Sequence, residues 1–338
     1  MKNTKKIAPG VIICILIAIP AWLLGKNIPV IGAPVFGITL GMILTLLVSK
    51  KSGKFEHGIK FTSKKILQYS IILLGFEMNL FNILKVGSQS LYVIIFTLSA
   101  SFITAFIAGR LLKIPGKTAA LVGIGTSICG GSAIAAAAPV LQAEDEDVAH
   151  AISTIFLFNI IAVFIFPLLG RFFGMSDMGF GMWAGTAIND TSSVVAAGAS
   201  WSSAAGNNTA LTFATIVKLT RTLMIVPVTL FLAIYTSRKN KDTNTTENFN
   251  ISKIFPWFVL AFILVSIVNT FSGINTNLSH LFVELGKFMI TMAMAAIGLN
   301  TNIVKLLKNG FKPILLGLCC WFSVAAVSII VQLAMNMW

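Results

Sequence analysis

The sequence predicts an all-α polytopic membrane protein of about eleven transmembrane helices, an inverted-repeat transporter with two broken crossing helices. Composition is the first reason: 56% of the 338 residues are hydrophobic and 11% charged, with a mean hydropathy of +0.89. A soluble domain has about a quarter charged residues. The second reason is a ladder of apolar segments of roughly bilayer length. The third is a pair of interrupted segments at an offset of 60 residues, GTSICGGSAIAAAA from Gly125 and GTAINDTSSVVAAG from Gly185.

The apolar segments fall at 10–25, 30–48, 66–84, 90–109, 118–140, 148–169, 179–200, 208–235, 254–271, 281–300 and 313–337. Most approach the ~20 residues that span a bilayer. Lys2, Lys5 and Lys6 precede the first, and no small-residue cleavage site follows it, so it reads as a transmembrane helix rather than a signal peptide. With the N-terminus inside, the inner loops collect 20 of the 25 basic residues, including Arg110, Lys113, Lys117 and Arg171. Lys26, Lys85 and the acidic run Glu144-Asp145-Glu146-Asp147 then fall outside, as does the C-terminus. This bias follows the positive-inside rule and accounts for the net charge of +14 without nucleic acid.

The basic stretch 49–65 reads as an inner-surface segment, either an interfacial helix or an ordinary topogenic loop. The polar run 236–253 is a flexible cytoplasmic linker. The expected division is scaffold helices at 1–112, a core domain at 113–235 holding both broken segments, and scaffold helices again at 254–338. Cys14, Cys129, Cys319 and Cys320 all lie in apolar runs, so no disulfide framework or zinc site is expected. No nucleotide-binding GxxxxGK[ST] motif is present, and no cofactor is implied.

The interruptions are Cys129-Gly130-Gly131-Ser132 and Asn189-Asp190-Thr191-Ser192-Ser193. Glycine costs a helix interior about 1 kcal/mol relative to alanine, and Asn, Asp, Ser and Thr offer the backbone competing bonds. Lipid cannot satisfy a free backbone group, so a broken helix survives only against protein or a cavity. Paired interrupted segments therefore point to a transporter binding site, with half-helices starting at Gly131 and Thr191 aiming N–H groups at an anion. The plainer reading is that small residues let helices pack closely. A second echo aligns Gly75, Asn79, Leu84, Lys85 and Gly87 with Gly298, Asn302, Leu307, Lys308 and Gly310, at an offset of 223. Those two run in opposite directions, as inverted repeats require. The broken pair runs in one direction if both segments cross, so either one is a re-entrant hairpin or the echo is convergent.

Ionisable residues inside a membrane are costly and are functional candidates. Lys218 and Arg221, at i and i+3 in ATIVKLTRTLMIVP, share a helix face. Three readings stand: contact with an oxyanion substrate, a buried ion pair with Asp190, or snorkelling towards the inner loop. Glu77 reads as a coupling-ion carrier or an outer-interface residue. Asn159 reads as an interhelical hydrogen-bonding residue. His150 reads as a surface residue, and His57 and His280 as loop residues.

Six stretches, LLGFEMNL, GTSICGGSAIAAAAPVL, TIFLFNIIAVFIFPLLG, WAGTAINDTSSVVAAG, ATIVKLTRTLMIVP and AMAAIGLNT, occur in this order over nearly the whole chain. They resemble the bacterial YeiH-type family, UPF0324, a group that carries the label sulfate exporter and is placed with cation/proton antiporters and bile-acid-type symporters. The resemblance implies inverted repeats, and crossing segments held against a scaffold. It places the crossing motifs on Thr126 to Ser132 and Asn189 to Ser193, and the basic motif on Lys218 and Arg221. Some members carry a His-acid pair where this chain has Asn189-Asp190.

The expected function is secondary transport, not enzymatic catalysis. The transporter exports a small anion, sulfate- or sulfite-like or an organosulfonate, across the bacterial inner (plasma) membrane by alternating access. The expected substrate-binding residues are Ser127, Cys129, Gly130, Gly131, Ser132, Asn189, Asp190, Thr191, Ser192, Ser193, Lys218 and Arg221, with Asp190 and Glu77 as candidates for a coupling proton or sodium. A homodimer is compatible with this reading. The first rival is a cation/proton antiporter with Asp190 as carrier. A more remote one is an intramembrane hydrolase on Ser132 or Cys129, which lacks a histidine base at mid-membrane.

Overall fold

The computed structural model describes residues 2–29, 31–48, 53, 55–239, 257–272, 275–301 and 310–338, and among these the chain is helices joined by short turns, with no strand. Among the described residues, six helical stretches are long and apolar enough to cross a membrane: Lys6–Asn27, Leu80–Leu111, Asp145–Phe172, Thr209–Leu232, Thr276–Asn300 and Phe311–Ala334. The all-α polytopic class is thus the observed one.

Helices α1 (Lys2–Asn27) and α2 (Ala33–Val48) form the first hairpin. The chain then enters α3 (Glu56–Phe61), which runs through a π-helical turn at Thr62–Ile66 into α4 (Leu67–Leu74). Residues 49–52 and 54 lie outside the described residues. From Glu56 onward the basic stretch is not a loop but the start of a helix, packed on α1. Gly10 and Gly58 make that approach, since a Cβ on either would lie within 2.6 Å of the other's Cα. Two further helices complete this bundle, α13 (Trp257–Phe271) and α14 (Thr276–Asn300). α14 lies along α2, where a Cβ on Gly41 or Gly298 would meet a facing carbonyl oxygen at 2.4 or 2.3 Å. Small residues in a bilayer serve this close approach.

The second bundle holds α5 (Leu80–Leu111), α6 (Gly116–Ser127), α7 (Gly131–Val140), α8 (Asp145–Phe172), α9 (Asp177–Ala187), α10 (Thr191–Ala205), α11 (Thr209–Leu223), α12 (Ile225–Lys239) and α15 (Phe311–Ala334). The division at 112/113 and 254 follows chain order, whereas packing places α5 and α15 with the broken segments: α15 touches α5, α6, α8 and α9. α10 joins the two bundles by packing on α2 and α14. Glu77, in the turn after α4, adds a second tie by accepting a hydrogen bond from Asn208 Nδ2. The linker from 240 to 253 lies outside the described residues, as do Asn302, Leu307 and Lys308 of the second echo.

Neither broken segment crosses. Lys117 Nζ, at the start of α6, donates to Gln142 O just past α7 at 2.6 Å, and Thr118 Oγ1 bonds Asp147 at the start of α8. The two ends of 118–140 therefore lie at one face. Asp177, at the start of α9, accepts from Trp201 Nε1 at 2.7 Å and Asn207 Nδ2 at 2.8 Å, so the two ends of 179–200 also share a face. α8 separates these faces with 28 residues, about 42 Å of helix. The two segments are thus re-entrant hairpins entering from opposite faces and running in opposite directions, which removes the directional conflict of the 60-residue echo. Neither segment therefore belongs among the expected crossings.

Length explains the turn-back. α6 and α7 have 12 and 10 residues, about 18 and 15 Å, close to half of a ~30 Å hydrocarbon core. Sidedness changes between the hairpins as a result. The acidic run 144–147 shares the face of Lys117, while Arg171 lies at the other face over the Trp201 ring, 5.8 Å from its centroid. These two exchange the sides the sequence assigned them. The C-terminus ends at the Arg171 face, where Ser176 Oγ donates to Trp338 O at 3.0 Å.

Cysteines introduced as Lys117→Cys and Gln142→Cys will react with an impermeant maleimide from one face of oriented vesicles, and Met178→Cys and Asn207→Cys from the other. Labelling of 117 and 142 from opposite faces would restore a crossing segment.

Candidate functional site at the hairpin tips

The tips meet on α11. α6 ends at Ser127, Ile128 departs from helical geometry (φ −117°, ψ −90°), and Gly130 turns the chain at φ +70°, ψ −129°, a conformation suited to glycine. α9 ends at Ala187, and Ile188 and Asp190 are extended before α10 begins. Thr126 and Thr186 return their hydroxyls to Val122 O and Met182 O at 2.8 and 2.7 Å, so the echo is also structural.

A helix end in a bilayer leaves carbonyls that must find donors. Those of α6 can be followed one by one. Ile124 O accepts from Ile128 N at 3.2 Å, and Gly125 O from Gly130 N at 3.0 Å. Ser127 O accepts from Arg221 Nε at 2.6 Å, and Thr126 O from Arg221 Nη2. Arg221 Nη1 reaches across to Ile188 O of the other tip at 3.2 Å. Lys218 Nζ completes the set, donating to Ile128 O at 2.8 Å, Ile188 O at 3.0 Å and Asn189 O. Ile128 and Ile188 are equivalent positions of the echo, and both give their carbonyl to one ammonium. Each side chain is 0% exposed.

Both cations therefore sit at the negative ends of two half-helices, where a buried positive charge contributes up to ~2 kcal/mol. Among the described residues no ion pair joins either to Asp190, and full burial excludes snorkelling. All three N–H groups of Lys218 are committed to backbone, so any attraction it exerts on a ligand acts through charge.

The other ends of the half-helices carry the remaining polar groups. Asp190 caps α10 by accepting from Ser192 N at 3.0 Å and from Ser192 Oγ, and its own N–H donates to Asn159 Oδ1 at 3.1 Å. Asn159 thus ties α8 to the second tip. The N-terminus of α7 has no side-chain cap at Gly130, and a Cβ at Gly131 would meet nothing within 4 Å. Ser132 beside it is exposed, while Thr191, Ser192, Ser193 and Cys129 are buried. Asn189 is 1% exposed, and its Oδ1 has no partner.

The candidate residues are thus together at the tips, except Glu77, which is exposed at the Arg171 face against Asn208. The sequence reading missed the carbonyls of Thr126, Ile128 and Ile188, because a backbone acceptor has no side-chain signature. It also missed a cavity of about 370 Å³ at the Arg171 face, between the two bundles, lined by Trp22, Lys26, Asn207, Asn208, Glu284 and Lys287. His280, read as an unattached loop residue, lines it too.

Two stability outcomes follow. Gly130→Ala will cost about 1–2 kcal/mol through its positive φ, while Gly131→Ala, in open space on a helix, will be neutral or stabilising, as read by thermal unfolding in detergent. Arg221→Lys keeps the charge but loses the fork. It will lower the midpoint sharply, since each stranded carbonyl costs about 1–3 kcal/mol.

Among known proteins, the family described as Conserved hypothetical protein 698 matches residues 9–317. A UPF0324 membrane protein of Fusobacterium nucleatum is 52% identical over 338 residues, covering 96% of each chain. Another from Streptococcus pyogenes serotype M6 is 50% identical over 333 residues, covering 98% of each, and one from Streptococcus agalactiae serotype V is 50% identical over 337, covering 99% of each. No solved structure matches. The chain belongs to the UPF0324 membrane protein family.

Proposed function

We propose that this UPF0324 member is a secondary transporter for a small anion, working by alternating access about the two hairpin tips. The observation that supports it most directly is the charge balance at mid-membrane. Lys218 and Arg221 contribute two positive charges, and Asp190 is the one acidic side chain beside them among the described residues. One positive charge is left over in a low-dielectric region, where an unpaired ion is costly, and a monovalent or divalent oxyanion would offset it.

Under this reading the anion sits before the open N-terminus of α7, against the N–H groups of Gly131 and Ser132 and the Ser132 hydroxyl. Opposed half-helices with their dipoles aimed at one point are the arrangement by which transporters hold small charged substrates. Their inverted orientation supports access from either face in turn. The cavity between the bundles is the vestibule at the Arg171 face. The face bearing Arg110, Lys113, Lys117 and Lys312 is then cytoplasmic, since the positive-inside rule counts basic residues and gives acidic runs little weight.

Asp190→Asn separates this reading from a cation/proton antiporter, because Asn caps a helix as well as Asp and deletes only the charge. In proteoliposomes loaded with a pH gradient, labelled sulfate or sulfite uptake by Asp190→Asn is expected to remain saturable, with an unchanged or lower KM. Absence of anion flux in the wild type, with sodium- or potassium-driven proton movement that Asp190→Asn stops, would replace the anion by a cation.

A further inference from the structure

We infer that the pocket formed by the carbonyl oxygens of Ile128, Ile188 and Asn189 is a binding site for a small monovalent cation, occupied in this protein by the tethered ammonium of Lys218. Three features of the geometry carry it. The oxygens come from two separate hairpins and converge on one nitrogen, at 2.8 and 3.0 Å for Ile128 and Ile188, with Asn189 as the third. All three are backbone carbonyls, the ligand type that replaces the hydration shell of a monovalent ion in a membrane. No carboxylate pairs with the ammonium among the described residues, so what holds it is a set of dipoles rather than a counter-ion. The Asn189 side-chain oxygen, 1% exposed and unpartnered, adds a further acceptor on the residue that gives the third carbonyl.

The lysine stem is only the tether. Helix α11 carries it, and all three bonds to the carbonyls are made by Nζ. Cutting the tether at Cβ leaves a space shaped like n-propylammonium, with the oxygens still aimed at its head. A free cation entering there would bridge the two tips as Lys218 does. The wild type, by contrast, carries this ion as part of its chain and needs none from solution to hold the tips together.

The test is thermal unfolding of purified Lys218→Ala in the chlorides of n-propylammonium, ammonium, potassium and N-methyl-D-glucamine, beside wild type and Lys218→Met. Wild type is expected to unfold at one temperature in all four salts. Lys218→Ala should unfold lower in N-methyl-D-glucamine and rise saturably with n-propylammonium, by several degrees, with smaller responses to ammonium and potassium. Lys218→Met, which fills the space without a charge, should be destabilised and unresponsive. A Lys218→Ala midpoint that ignores every cation, or that n-propanol raises as much as n-propylammonium does, would overturn the inference. So would a Lys218→Met midpoint equal to wild type, or failure to recover folded Lys218→Ala with n-propylammonium present throughout purification. The readout is stability, so failure of the anion assay leaves this inference standing, and its own failure leaves the anion reading untouched.

Discussion

A chain that enters a bilayer and turns back half way must leave helix ends where water cannot reach them. Each free carbonyl there is a penalty of several kcal/mol unless a donor is supplied. This protein has two such turns, and both sets of carbonyls are answered from one helix. Lys218 and Arg221, three residues apart, hold five carbonyl groups of two hairpins with six hydrogen bonds. The facing of the two tips is bound up with that arrangement, since Lys218 and Arg221 each bond both of them.

This use of the cations changes where recognition would lie. A buried lysine and arginine on one face suggest direct ligands for an oxyanion. Here their N–H groups are spent on backbone, and what they lend the tips is field rather than contact. Contact would pass to the N-terminus of α7, where Gly130 gives no side-chain cap and Gly131 opens space. Lys218 and Arg221 each bond both hairpins, so one pair of side chains links the two tips.

Much was legible beforehand. Composition and segment length are one-dimensional quantities, and they identify a polytopic membrane protein because a bilayer selects on them directly. The two interruptions were legible for the same reason: Gly130 and Asp190 are residues a continuous helix disfavours, and the structure breaks at both. Asn159 was read as an interhelical hydrogen bond, and it bonds Asp190 N of the second tip. The error lay in the count of crossings. A hairpin of two half-length legs and a broken crossing helix have the same hydropathy, the same interruption and nearly the same length. The loop charges could not separate them, because two hairpins in succession reverse sidedness only for α8 and restore it afterwards.

The sequence by itself determined the class of the protein, the family, the breaks and the pair of cations near them, since each is a matter of residue type and spacing. Only the tertiary structure decided that both segments turn back, because that depends on which ends meet: Lys117 with Gln142, and Asp177 with Asn207. It alone decided what the cations hold as well. Their partners are backbone carbonyls, which every residue possesses, and only folding selects the five that lie within reach.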